Sequence, residues 1–215
     1  MNYQICQQTL ELLPEKALFW KDKQMLLVAD LHLGKASHFR KAGIPIPTEV
    51  HEADLQTLSK IIKTTNAQEL TFLGDFFHAE LNADWLRWEQ WLKDRKNLKI
   101  NLVRGNHDQL PDQLFTKHGI QVLEEPWVVE PFIFTHHPLA PEEISPEYFN
   151  MCGHLHPAVM VLGRGRKFLK FPCFYFSQQQ AVLPAFGKFT GLSTIKAKKE
   201  DNIFATYGDK VLKMN

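Results

Sequence analysis

Apolar positions change their period along this chain. Residues 3–8, 17–20 and 25–29 alternate or run apolar over short stretches and predict three strands, the last ending directly on Asp30. A loop rich in breakers follows, from Gly34 to Pro47. Thr48 is the predicted N-cap of a helix through about Lys63, with Val50, Ala53, Asp54, Leu58 and Ile61 at mostly helical spacing. Glu69–Leu73 predicts a strand running into Gly74-Asp75. Asp84 to Lys96 predicts a helix that sets Trp85, Trp88, Trp91 and Leu92 on one face, a packing stripe. Leu98–Val103 predicts a strand feeding Arg104-Gly-Asn-His107. Strands and turns then dominate: 120–123, 127–129, 132–135, 148–152, 158–162, 168–176, 180–183 and 203–206. Arg164-Gly-Arg-Lys167 reads as a polar hairpin turn with no role in a site.

A half built as βαβα followed by a strand-rich half predicts an α/β fold, two facing sheets with helices outside. No repeat, low-complexity tract or linker divides the chain, so residues 1–215 form one domain. With 44% apolar residues the composition is that of a globular protein and excludes disorder. Formal charge is 25 − 24, or +1, which leaves no basic excess for broad duplex binding. Any contact with nucleic acid must come from local patches. Cys6, Cys152 and Cys173 are odd in number, match no zinc or redox spacing, and read as buried thiols. The first residues lack a basic start and a long apolar run, and no stretch approaches the ~20 apolar residues of a membrane span. The expectation is a soluble, cytoplasmic protein with no membrane partner.

Five short segments carry chemistry: Asp30-Leu-His32, Gly74-Asp75-Phe-Phe-His78, Gly105-Asn-His-Asp108, His136-His137 and Gly153-His-Leu-His156. Each follows a predicted strand, and open α/β folds gather ligands along that edge. Alone, an Asp-x-His or Gly-Asp reads as turn chemistry, and a lone histidine as a core or surface residue. Together they supply ligands for two divalent cations roughly 3.5–4 Å apart, the arrangement that clamps an in-line phosphoryl displacement. Asp30 and His32, two apart at a strand end, suit a first ion, and Asp75 is the natural bridge. Asn106 and His136 suit a second ion, and His154 and His156 close the site. His137 reads as a neighbour of the ligands or a surface residue. His107 can serve as general acid or phosphate donor, and His78 can position a leaving group or hydrogen-bond a ligand. Oxygen and nitrogen donors without thiolate fit Mn²⁺, Fe or Zn²⁺ and do not choose among them; Mn²⁺ is the ion expected. Lys35, His38, Arg40 and Lys41 form either a phosphate-contacting patch, led by Lys35 and Arg40, or a solvated basic face.

The order DxH, GDxxH, GNHD, H, GHxH over residues 30 to 156 resembles the calcineurin-like metallophosphoesterase superfamily. That resemblance implies a four-layer fold, a two-sheet sandwich flanked by helices. It assigns Asp30, His32, Asp75 and His156 to one metal and Asp75, Asn106, His136 and His154 to the other, with His107 beside the scissile phosphate. Asp30-Leu-His-Leu-Gly-Lys-Ala36, Phe39-Arg40, Gly43-Ile-Pro-Ile-Pro47 and Leu183-Pro-Ala-Phe-Gly-Lys-Phe-Thr-Gly191 are similar to the bacterial DNA-ligase-associated metallophosphoesterases. This narrower resemblance implies a DNA endonuclease in repair, functionally linked to a DNA ligase and a helicase. A phosphoesterase for cyclic nucleotides or nucleotide-sugar pyrophosphates is the alternative, because the metal site sees only a phosphate. An inactive scaffold ranks last, since Asn106 and His107 both remain.

Overall fold

A computed structural model describes residues 1–47, 50–78, 80–163, 165 and 167–214. The chain opens on a hairpin of β1 (Asn2–Ile5) and β2 (Gln8–Leu12), turned by Cys6 and Gln7 at φ 49° and 61°. β3 (Leu18–Trp20) and β4 (Met25–Val28) extend it antiparallel. α1 (Lys35–Lys41) and α2 (Val50–Thr65) lead to β5 (Glu69–Leu73), α3 (Ala83–Leu92) to β6 (Lys99–Val103), and α4 (Asp112–Lys117) to β7 (Ile120–Leu123). From β4 to β7 the pairing is parallel, and the sheet order is β1-β2-β3-β4-β5-β6-β7.

The second sheet comes from the rest of the chain: β8 (Trp127–Val129), β9 (Phe132–Phe134), β10 (Phe149–Cys152), β11 (Pro157–Leu162), β12 (Phe168–Phe176), β13 (Gln180–Val182), β14 (Ser193–Thr194), β15 (Asn202–Tyr207) and β16 (Lys210–Lys213). Its path is β14-β11-β12-β13-β10-β9-β8, with β15 joining β12 to β16. Between the sheets, Leu10, Trp20 and Leu27 meet Phe134, Met151 and Phe174. The rings of Trp20 and Phe132 lie 4.8 Å apart, edge to face. The opposite face of the first sheet packs Leu26, Phe72 and Leu102 under α2, α3 and α4. β4, β5 and β6 are therefore covered on both faces, and their sequences run apolar instead of alternating. The outer face of the second sheet carries a smaller strand-built cluster of Val159, Cys173, Ile203 and Ala205.

Several elements differ from those read along the sequence. The strand expected over 3–8 is two strands and a turn, and Cys6 in that turn is exposed, whereas Cys152 and Cys173 are buried. α1 falls within the loop read over Gly34 to Pro47, and α4 in a stretch to which no element was assigned. Neither has a side-chain cap, since Gly34 and Pro111 stand at the cap positions, so the usual helix-start signal is missing. β14 and β16 are too short or too polar to register as strands. α3 begins one residue early, on an Asn82 side chain that accepts from the Asp84 N–H at 3.0 Å, and ends four residues early. The Thr48 cap, Arg164 and Arg166 lie outside the described residues. No described helix is long and apolar enough to cross a membrane.

Trp85, Trp88 and Trp91 all sit in the helix-side core. Trp88→Ala is expected to lower the unfolding free energy by about 3–5 kcal/mol through the cavity it leaves. Leu86, on the same helix but 66% exposed, should change it by no more than about 0.5 kcal/mol when truncated. Urea titrations of the two variants check the contrast.

Candidate metal centre

Five loops converge where strands of both sheets end. Asp30 and His32 follow β4, Asp75 follows β5, Asn106 and His107 follow β6, His136 follows β9, and His154 and His156 follow β10. The Asp30 loop stays hydrogen-bonded on both sides. Asp30 N–H donates to Gly74 O at 3.2 Å and His32 N–H to Asp75 O at 2.8 Å. From the other side, Phe186 and Gly187 donate to Ala29 O and Asp30 O at 2.8 and 3.2 Å. The segment 183–191, singled out for its resemblance alone, thus clamps Asp30 from the connection between β13 and β14.

The side chains form two groups around one carboxylate. In the first, His32 Nε2 lies 3.4 Å from His156 Nε2 and 3.6 Å from Asp75 Oδ2, and His156 Nε2 lies 3.6 Å from Asp30 Oδ1. In the second, His136 Nε2 lies 3.0 Å from Asn106 Oδ1, 3.2 Å from His154 Nδ1 and 3.5 Å from Asp75 Oδ1. Asp75 thus turns one oxygen to each group. Donor atoms about 2.0–2.1 Å from one ion, at tetrahedral to octahedral angles, stand roughly 2.9–3.4 Å apart. The three nitrogen–nitrogen and nitrogen–amide separations, 3.4, 3.2 and 3.0 Å, fall in that range, and the three nitrogen–carboxylate separations exceed it by 0.1–0.2 Å. All seven ligand positions expected from the sequence lie in these two groups.

Protonation also suits metal binding. His136 Nδ1 is 3.1 Å from Leu73 O, which can only accept, so the proton sits on Nδ1 and the Nε2 lone pair faces the group. Burial, with Lys35 and neighbouring imidazoles, pushes the His32 pKa down to about 2, and burial lowers that of His154. Neutral imidazoles are the form a metal requires.

Backbone conformation sets the donors. Asp30, His32, Asp75, His154 and His156 all have φ between 48° and 69°, the left-handed region that non-glycine residues seldom enter. Gly74, at φ 76°, has no room for a side chain, because a Cβ there would come within 2.0 Å of His136 Nδ1. A Cβ on Gly105 would fall 2.2 Å from Asp75 N. The glycines of two motifs therefore make space for ligands from other segments.

Two carboxylates that the sequence reading passed over hold this arrangement. Asp108, only 2% exposed, accepts from Phe77 N–H at 2.8 Å and Gly105 N–H at 2.9 Å, tying the second and third motifs together. Burial raises its pKa to about 6, against the pull of those two bonds. Glu125 accepts from His136 N–H at 2.9 Å. The only signal for Asp108 was its place in the GNHD run, and Glu125 had none. His137 is exposed, but its ring centroid is 4.2 Å from that of His154, and it can add a donor beside His136 and His154.

The expected substrate contacts divide. Lys35 is half-buried, and burial lowers its pKa against the opposing pull of the Asp75 and Asp30 carboxylates. Arg40 donates to Ser37 Oγ at 2.6 Å, Pro47 O at 3.1 Å and Ile46 O at 3.3 Å. Ser37 in turn donates to buried Asp84 at 2.5 Å, tying α1 to α3. His78 stacks on His107 with ring centroids 4.5 Å apart, and His107 also lies 5.2 Å from His32.

Residues 24–208 match the family model of calcineurin-like phosphoesterases. No curated protein matches the chain. Among solved structures it is similar to a nuclease, MPE, from Pseudomonas putida, with 34% identity and a TM-score of 0.84 over 100% of this chain and 99% of that one. It is also similar to Yfce, a phosphoesterase from E. coli, with 16% identity and a TM-score of 0.45 over 84% of this chain and 86% of that one.

Gly74→Ala tests the cross-packing. It should displace His136, reduce bound metal from two ions toward one per chain, and cost about 1–2 kcal/mol from left-handed strain alone. Metal analysis with thermal unfolding checks both effects, and a variant with full metal content would contradict the geometry described.

Proposed function

The chain belongs to the calcineurin-like phosphoesterase family and is a metal-dependent phosphoesterase, and on that premise we propose that it is a DNA endonuclease acting in repair. The two-metal reading rests on Asp75, whose two oxygens face two separate donor groups. DNA is favoured over a small phosphate ester by likeness to the Pseudomonas putida nuclease along the whole chain. On the same reading it works in the cytoplasm, with a DNA ligase and a helicase as functional partners.

Two bound dications, Mn²⁺ foremost, would supply Lewis-acid polarisation of the phosphoryl oxygens and an activated water. The protein's own groups do the rest. Asp30 and Asp75 offset part of the dications' charge and leave the site positive toward a phosphodiester. His107 is anchored through its N–H to Asp75 Oδ1 at 2.9 Å. Its ring forms a triangle with those of His32 and His78, the centroids 4.5, 5.2 and 5.5 Å apart. We assign it proton transfer to the leaving oxygen. His78 is held neutral, its pKa pushed down to about 4 by burial and by His107, so it packs and orients the His107 ring without competing for the proton. Lys35 meets a phosphate next to the scissile one. Arg40 holds the 46–47 segment in place and reaches substrate only through that segment.

Asp75→Ala should lose bound metal and turnover together. His107→Ala should keep both ions while kcat falls by about 10²–10⁴-fold. Normal metal content and rate in Asp75→Ala would refute the assignment. Incubating the Mn²⁺-loaded protein with single-stranded, duplex and gapped DNA, and with cyclic nucleotides, separates the substrate classes. Cleavage confined to cyclic nucleotides would replace the nuclease reading with the small-molecule one. Lys35→Ala should reduce the salt slope of single-strand binding by about 0.7, and Arg40→Ala should leave that slope unchanged. An unchanged slope in Lys35→Ala would remove the phosphate contact.

A further inference from the structure

The distal parts of β11 and β12, Met160–Leu162 and Phe168–Lys170, stand apart from the core. The register of the β11–β12 hairpin shows where it points. In β13, Val182 pairs with Cys152 of β10 in parallel and with Tyr175 of β12 antiparallel, so Tyr175 marks the level at which the metal-binding edge begins. From Tyr175 back to Phe168, β12 runs in the direction of the β10 C-terminal end. Seven residues at about 3.3 Å each take it roughly 23 Å past that edge. Its partner β11 starts at Pro157, the residue after the ligand His156, and pairs Met160 with Lys170 and Leu162 with Phe168. The hairpin is thus continuous with the metal centre and projects beyond it.

Its surface is unusual for a soluble protein. Leu162 and Phe168, paired across one face, are 61% and 63% exposed, and Met160 beside them is also exposed. Lys167 and Lys170 are exposed as well. Residues 157–176 contain Arg164, Arg166, Lys167 and Lys170 and no acidic residue, a local charge of 4 − 0 = +4 in a chain of net +1. The remaining residues therefore sum to 1 − 4 = −3, so the positive charge is concentrated on this hairpin. An exposed aromatic ring among cations, on a strand leaving a phosphate-hydrolysing centre, matches the chemistry of unpaired bases on a phosphate backbone.

Building on the nuclease reading, we infer that the β11–β12 hairpin is a wall on which the single-stranded flank of the substrate lies. A base stacks on Phe168 against Leu162, and Lys167 and Lys170 meet its phosphates. The scissile bond stays at the metals, and the wall selects substrates long enough to reach it.

The test compares a long single-stranded oligonucleotide, a dinucleotide and bis(4-nitrophenyl) phosphate. Phe168→Ala should raise KM for the long oligonucleotide roughly tenfold or more, the range of base–aromatic stacking. It should leave dinucleotide and small-diester turnover unchanged, and Phe168→Trp should restore the KM. Lys170→Ala should lower the salt slope of oligonucleotide binding by about 0.7. Phe168 is exposed, so thermal unfolding should match wild type. An unaltered KM in Phe168→Ala would overturn the inference and leave the nuclease reading standing, and so would a loss of small-diester turnover. If the metal-loaded wild type hydrolyses the small diester but neither binds nor cleaves DNA, the nuclease reading falls and the wall falls with it.

Discussion

Asp75 has to serve two donor groups with one carboxylate, and much of the surrounding architecture follows from that demand. Its oxygens stand 3.6 and 3.5 Å from the imidazole nitrogens of His32 and His136. Such crowding of lone pairs is unfavourable without a cation, so the chain must hold it by means other than attraction among the ligands. It does so with main-chain bonds. The Asp75 carbonyl accepts from His32, its side chain accepts from the His107 N–H, and Asp30 accepts from the His154 N–H at 2.9 Å. Each donor segment is fastened to another one, and no loop sets its own geometry.

The two sheets make that fastening possible. The first delivers Asp30, Asp75 and Asn106 from three adjacent parallel strands, and the second delivers His136, His154 and His156 from β9 and β10. Aromatic packing between the sheets, around Trp20, Phe132 and Phe134, fixes how the two edges meet. A shear of about 1 Å between sheets would open the ligand separations beyond what one ion can span. The core between the sheets and the metal centre are therefore coupled.

Much of this was legible in the sequence, because the ligands are uncommon residue types placed directly after apolar strands. Strand periodicity located the elements that precede the candidate ligands, and the order of the motifs picked out the side chains that the fold brings together. What the sequence hid is of two kinds. Short elements such as α1 and α4 lack capping signals and are fixed by tertiary packing, as when Ser37 and Arg40 tie α1 to Asp84 and the 46–47 segment. Residues that act through a main-chain partner leave little pattern: Asp108 had only its place in the GNHD run, and Glu125 resembles any other carboxylate on a surface-like stretch. Arg40 shows the reverse: a cation beside the site whose hydrogen bonds are internal.

Five of the seven donors sit on left-handed backbone. Among L-residues, Asp, Asn and His enter that region several-fold more readily than most, and β-branched side chains scarcely do. The same peptide geometry that aims these side chains inward therefore also restricts which donor types can occupy the positions. Re-engineering the pocket for a softer ion by exchanging single ligands would have to contend with the main chain before it met any question of coordination.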